Sequence, residues 1–286
     1  KSTLLNALVG EKVAIVTPKA QTTRNRILGV RDVAPSGESP AGQIVFLDTP
    51  GILAPKHRLD EYLVQTALTT LDDADVVLLM VDGSETPQEG DRRCVDLVAK
   101  SAKPTLLVIN KLDAIDHTLV ESRISQYREL GAFAGGVAVS ALESLNLQPL
   151  LAKIVALLPE GPAYYPEGTL TDLPDKFMAA ELVREQILKH AREEVPHCVA
   201  VTVDELTPRN ERLTYVSATI HVEKDTQKGI LIGEAGRMLK AIGANARPEI
   251  EQLLDKKVYL DLHVKVNKNW RKDEAALRRL GYWVMK

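Results

Sequence analysis

Four short stretches of this 286-residue sequence carry residue types that suit the handling of a phosphorylated purine, and they come in order along the chain. Lys1-Ser2-Thr3, ahead of an apolar run, matches the second half of the phosphate-binding signature G-x-x-x-x-G-K-[ST]. Asp48-Thr49-Pro50-Gly51 follows, then Asn110-Lys111-Leu112-Asp113, then Ser140-Ala141-Leu142. In such a site Lys1 would reach the β- and γ-phosphates, the Ser2 hydroxyl would bind Mg2+, and Thr3 would touch the α-phosphate. Backbone N–H groups opening the first helix add a positive end that favours phosphate. Asp48 would hold Mg2+ through a water. Gly51 would offer its N–H to the γ-phosphate, because no side chain obstructs the approach.

The third stretch would choose the base. Guanine presents N1–H and an exocyclic amine on one edge, and the Asp113 carboxylate can accept from both. Adenine lacks that pair and would leave the acceptor unsatisfied, a penalty of about 1–3 kcal/mol. Asn110 would steady the loop, the stem of Lys111 would cover the ring face, and main-chain N–H groups at Ser140–Leu142 would meet guanine O6. Between Lys1 and Asp48 lies "PKAQTTRNRILGV", where a threonine could complete Mg2+ coordination and sense the γ-phosphate; Thr23 is the first candidate and Thr22 the second.

Each motif alone is common. Their weight comes from the elements that must position them. The runs at 44–48, 75–83, 104–111 and 136–141 read as strands, with "ILGVRDV" an antiparallel neighbour of the first. Amphipathic segments such as "HRLDEYLVQTALTTLDD", "EGDRRCVDLVAK" and "LNLQPLLAKIVALLP" separate or follow them. The pattern predicts a doubly wound α/β sheet, whose ligands bind where strands end. All three later motifs fall at strand ends.

After a Pro- and Gly-rich stretch at 159–174, read as a linker, the order becomes helix, two strands, two helices, strand, helix. Gly233-Glu234-Ala235-Gly236 joins the middle helices. Glycines at both ends of such a loop let a nucleic-acid backbone press against the main chain, and the loop clamps about four nucleotides. Arg237 and Lys240 lie three apart on one helical face and suit phosphates. His263, Lys265 and Lys268 extend the track, and Trp270 is either a stacking platform or a packing residue.

The first half resembles GTPases of the Ras-like P-loop class, and the second a type II KH domain. Together, with "KAQTTRNRI", "DTPG", "NKLD" and "FMAAELVREQIL", they are similar to the Era family over nearly the whole chain. The resemblance implies a P-loop GTPase domain (1–160), a linker (161–175) and an α+β KH domain (176–286). It implies GTP and GDP as ligands with Mg2+, and binding near the 3′ end of small-subunit ribosomal RNA in support of 30S maturation. It also implies a cytoplasmic protein that can associate peripherally with the membrane's cytoplasmic face. A non-hydrolysing RNA-binding scaffold and an assembly GTPase with another RNA target are the alternatives.

Several positions depart from the family. The first strand and the glycine half of the phosphate loop are expected to precede Lys1. Ile52 stands where Ras-like proteins carry a water-orienting Gln, so intrinsic hydrolysis should be slow and no general base is assigned. Glu234 replaces a usual basic residue in the clamp, and Ser144 a usual glycine after the base loop. Pro248 should kink or restart its helix.

Composition agrees with this reading. The chain is 45% apolar and only 4% aromatic, which suits an aliphatic α/β core. Cys94 and Cys198 lie far apart and read as buried thiols, His197 beside Cys198 reads as the start of a strand, and the histidines show no metal-ligand spacing. Residues 1–173 carry 16 Lys and Arg against 22 Asp and Glu, whereas residues 174–286 carry 20 against 17. From Lys256 onward the balance is 9 against 3, a basic end suited to a polyanion.

Overall fold

The apolar runs form strands close to their expected bounds. A computed structural model describes residues 1–19, 22–35, 41–52, 55–191 and 194–282. Contacts divide the chain into two units that interleave in sequence. The first comprises Lys1–Ala14, Arg26–Ile52 and Thr66–Asp172; the second comprises Ile15–Asn25, Leu53–Gln65 and Leu173–Lys286. The boundaries expected at 160 and 176 therefore miss two early segments that count with the second unit.

In the first unit, α1 (Ser2–Val9) ends at Gly10, whose φ of 92° lets its N–H return to the Asn6 carbonyl at 2.8 Å. Strand β1 (Ile27–Val33) runs antiparallel to β2 (Gly42–Asp48), with Ile27 opposite Asp48. Strands β3 (Val77–Asp82), β4 (Thr105–Asn110) and β5 (Gly135–Ala138) are parallel, in that order. The middle strand β4 is buried from Thr105 to Ile109, as a continuous apolar run between two neighbours should be. Helices α3 (Glu89–Lys100), α4 (Val120–Arg128) and α5 (Leu147–Val155) complete the unit, and α2 (Arg58–Asp73) is shared by residue count between the two units. Among the described residues the β1–β2 and β3–β4–β5 ladders are separate sheets.

The stretch expected to be a linker is bound to the first unit as far as Asp172. Leu170 accepts from Val30 N–H at 2.8 Å, Thr171 Oγ1 donates to the Leu28 carbonyl at 2.7 Å, and Gly168 N–H donates to Asp32 at 3.0 Å. Gln43 bonds both Tyr164 and Tyr165. Its prolines and glycines shape a strap along β1, not a free connection.

The second unit has α6 (Asp175–His190), β6 (Ala200–Pro208), β7 (Leu213–Val222), α7 (Asp225–Ile232), α8 (Arg237–Leu254), β8 (Lys257–Val266) and α9 (Glu274–Arg279). Its sheet runs β6-β7-β8, antiparallel then parallel. Strand β7 alternates strictly, burying Thr214, Val216, Ala218, Ile220 and Val222 on one face. That face packs on Leu231, Ile242, Ala246 and Ile250 of the helices. Three expectations are corrected here. Helix α8 continues through Pro248 without restarting, because Ala246 and Ile250 on either side are fully buried and hold it in the core. His197, expected to start a strand, lies in a 3-10 turn (Val195–Cys198) before β6. Of the two thiols, Cys198 is buried but Cys94 only half-buried.

Residues 15–25 explain why α6 is buried on nearly every side, polar residues included. Ile15 joins the core, Val16 N–H donates to Glu185 at 2.9 Å, and Arg184 donates to the Thr22 carbonyl at 2.8 Å. Arg24 is 6% exposed. Its guanidinium reaches the carbonyls of Val199 at 2.5 Å and His197 at 3.2 Å and lies 5.8 Å from the ring centres of both Trp270 and Tyr282.

Candidate nucleotide and nucleic-acid sites

The first-unit candidates gather at the N-terminus of α1 and the C-terminal ends of β2, β4 and β5. Lys1 caps α1 and its Nζ bonds the Thr49 carbonyl; Ser2 Oγ donates to Asp48 Oδ2 at 2.7 Å. Asp48 is buried at the end of β2, so a hydroxyl and a carboxylate are already brought together as a Mg2+ ion would need them. Asn6 fixes the far side of α1 by bonding both N–H groups of Val13 and Ala14 and the Ala14 carbonyl. Gly51 and Ile52 follow, the latter 40% exposed. Among the described residues no group of three or more His, Cys, Asp or Glu could hold a metal ion. A hard cation held by few carboxylates relies on phosphates and waters for its remaining ligands.

The base loop is built by cross-strand bonds. Asn110 Oδ1 accepts from Ala141 N–H at 2.9 Å, Leu112 N–H donates to the Val139 carbonyl at 3.0 Å, and Ser140 Oγ donates to Asp113 Oδ1. Ser140 is fully buried, whereas Asp113 and Leu142 are exposed. The loop thus presents the Asp113 carboxylate outward while anchoring it from behind. Ser144 sits at φ 55°, the left-handed region that a glycine would enter freely, and the loop closes through the Ser140–Leu145 bridge.

Thr22 and Thr23 lie with the second unit. The Thr22 hydroxyl is engaged within its own turn, 2.8 Å from Thr17 Oγ1 and 2.8 Å from the Lys19 carbonyl. Thr23 is half-buried.

In the second unit the Gly233–Gly236 turn connects α7 to α8. Gly233, Ala235 and Gly236 all have positive φ, at 69°, 51° and 77°. A Cβ on Gly233 would come within 2.8 Å of Met238 Cβ, whereas nothing lies within 4 Å of one built on Gly236, whose outer side is open. Arg237 and Lys240 are exposed on the first turn of α8, and Arg237 pairs with Glu234.

The proposed extension of this track is divided by the structure. His263 and Lys265 are exposed on the β8 face opposite the one that packs on the helices, so they do not continue the line of Arg237 and Lys240. Lys268 is exposed in the following turn. Trp270 is fully buried: its Nε1–H donates to the Cys198 carbonyl at 3.0 Å and its ring stacks 5.8 Å from Tyr282. It is a packing residue, not a stacking platform. Arg24 is the structurally central residue that motif reading passed over, because no spacing rule marks an arginine whose acceptors lie about 175 positions away.

Among the described residues no helix is long and apolar enough to cross a membrane. A family model described as 50S ribosome-binding GTPase matches residues 1–111, and a KH-domain model matches residues 194–271. GTPase Era of Heliobacterium modesticaldum is 46% identical over 282 residues, covering 99% of this chain and 92% of that protein. GTPase Era of Geobacter metallireducens is 44% identical over 283 residues, covering 99% and 93%. A crystal structure of Era in complex with MgGDPNP and nucleotides 1506–1542 of 16S ribosomal RNA aligns with TM-score 0.94 and 40% identity, covering 99% of this chain and 94% of that one. A crystal structure of a point variant of Aquifex aeolicus Era bound to GDP and AlF4− aligns with TM-score 0.93 and 40% identity, covering 99% and 95%.

Proposed function

Because this chain belongs to the Era family of GTPases, we propose that it binds GTP and GDP with Mg2+ at the strand ends of its first unit, and the 3′ end of small-subunit ribosomal RNA through its second. Lys1, Ser2 and Thr3 serve the phosphates, with Ser2 and Asp48 as the Mg2+ residues. When bound, Mg2+ would offset charge on the phosphates. Asn110, Lys111, Asp113 and Ser140–Leu142 receive guanine. GTP is hydrolysed to GDP and phosphate, slowly in isolation because Ile52 cannot orient a water. Gly233–Gly236 clamps the RNA backbone, and Arg237 and Lys240 contact phosphates as the 30S subunit matures. This work belongs in the cytoplasm; peripheral contact with the membrane's cytoplasmic face rests on family resemblance alone.

The observation that carries the nucleotide half is the back-anchored carboxylate. Ser140 holds one oxygen of Asp113, Asn110 ties the loop to Ala141, and the exposed acid faces outward with both oxygens able to accept from a guanine edge. Replacing the acid by an amide turns one acceptor into a donor, which suits the extra carbonyl of xanthine. Asp113→Asn is expected to weaken GDP by about tenfold or more and to improve XDP, read by calorimetry with Mg2+ present. An unchanged preference for GDP would overturn the assignment.

A further inference from the structure

The end of β3 is fastened to the base loop more firmly than a strand ladder requires. Asp82 and Asn110 are register partners at the ends of β3 and β4, and Gly83 N–H donates to the Asn110 carbonyl at 2.9 Å. A Cβ on Gly83 would stand 2.5 Å from Ile115 and 2.9 Å from that carbonyl, so this approach requires glycine. Asp82 is held at three points. Its Oδ1 accepts from Ser84 N–H at 3.0 Å and Ser84 Oγ at 2.6 Å, and its carbonyl accepts from the Tyr127 hydroxyl at 3.1 Å. Its Oδ2 pairs with Lys111 Nζ at 2.5 Å. Lys111 in turn has φ 68°, a backbone conformation a lysine keeps only where its surroundings hold it.

We infer that Asp82 is a positioning residue for the purine: its ion pair with Lys111 draws the ammonium to the end of β3 and so fixes the course of the alkyl stem that covers the base. The inference rests on the base-loop reading above. A lysine stem is among the most mobile side chains, and one left free must be ordered anew at each binding event. Tethered at its tip to an acid that is itself bound to Ser84, it is ordered beforehand. Charge supports the pairing. Burial pushes the Asp82 carboxyl up, but hydrogen bonds from Lys111 and Ser84 outweigh it and hold the group below its ordinary range, while Asp82 raises the Lys111 ammonium. Both groups therefore stay charged near neutrality.

The test is release of ribose-labelled fluorescent GDP from the intact protein, chased with unlabelled GDP. Asp82→Asn keeps an oxygen for Ser84 and removes the anion that Lys111 needs. It should speed release roughly three- to fivefold, the size of a partly exposed ion pair. Lys111→Ala should speed release as well, and adding Asp82→Asn to it should bring no further increase. Unchanged release in Asp82→Asn, or the same factor with and without the Lys111 side chain, would overturn the inference and leave the base-loop reading standing. If Lys111→Ala released GDP at the normal rate, the base-loop reading itself would fall, and the inference with it.

Discussion

Glu234 brings a negative charge into the loop where a phosphate chain would pass. It pairs with Arg237, both side chains being largely exposed, and stands beside the N-terminus of the 18-residue helix α8, where anions are favoured. Under the proposed clamp it would compete with RNA for the same cation and the same helix end. An exposed pair of this kind holds its partners by about 0–1 kcal/mol, so a phosphate can displace it. Glu234→Gln is expected to tighten binding of the 1506–1542 RNA segment by about three- to fivefold. It should also steepen the dependence of log K on log salt by about 0.7, measured by fluorescence anisotropy across a salt series. Gly236→Asp should act in the opposite direction, since it adds an acid and a strained φ at an open position. At this scale the sequence was most informative where chemistry dictates spacing. Residues 48–51, 110–113 and 140–142 end strands because a doubly wound sheet puts its ligands there. Trp270 was ambiguous because its partners, the Cys198 carbonyl and the Tyr282 ring, carry no mark in the local sequence.

Pro248 shows the limit of local reading for an element. Proline in a helix interior lacks an N–H and crowds the preceding turn, and the expected outcome was a kink or a restart. Instead α8 runs from Arg237 to Leu254, with Ile242, Ala246 and Ile250 all fully buried on one face. Burial of that face outweighs a local penalty of about 3 kcal/mol. Pro248→Ala should therefore stabilise the protein, by about 1–3 kcal/mol, visible as a higher midpoint in urea at unchanged slope. A lower midpoint would mean that the proline ring itself packs favourably. The strands were easier to read: β4, apolar throughout, and β7, alternating, each announce how many faces they bury. The bounds of β6 were not, since a 3-10 turn occupies the apolar residues just before it.

Across the molecule, the least legible feature is the membership of the second unit. Residues 15–25 and 53–65 count with it, although every motif around them belongs to the first. Arg24 is the firmest of these contributions. Its buried guanidinium serves carbonyls of Val199 and His197 with no carboxylate among the contacts described, and it lies against two stacked rings. Arg24→Ala would leave those carbonyls unpaired and a gap beside Trp270. We expect a loss of about 2–4 kcal/mol, read as unfolding of the second unit by near-ultraviolet dichroism of its tryptophans. Arg24→Lys should recover only part of that, because an ammonium cannot serve divergent carbonyls with a planar fork. A fragment starting at Leu173 would lack Ile15, Arg24 and Leu59 together and should unfold more readily than the same unit in the intact protein.

The strap along β1 has a consequence for life in a crowded solution. A bare outer strand offers its unpaired amides and carbonyls to any similar strand on another molecule, the usual start of aggregation. Here Leu170 and Thr171 of the same chain already occupy the amide of Val30 and the carbonyl of Leu28. A nick or misplaced proline in the strap would show itself first as clumping of copies, before any loss of ligand affinity.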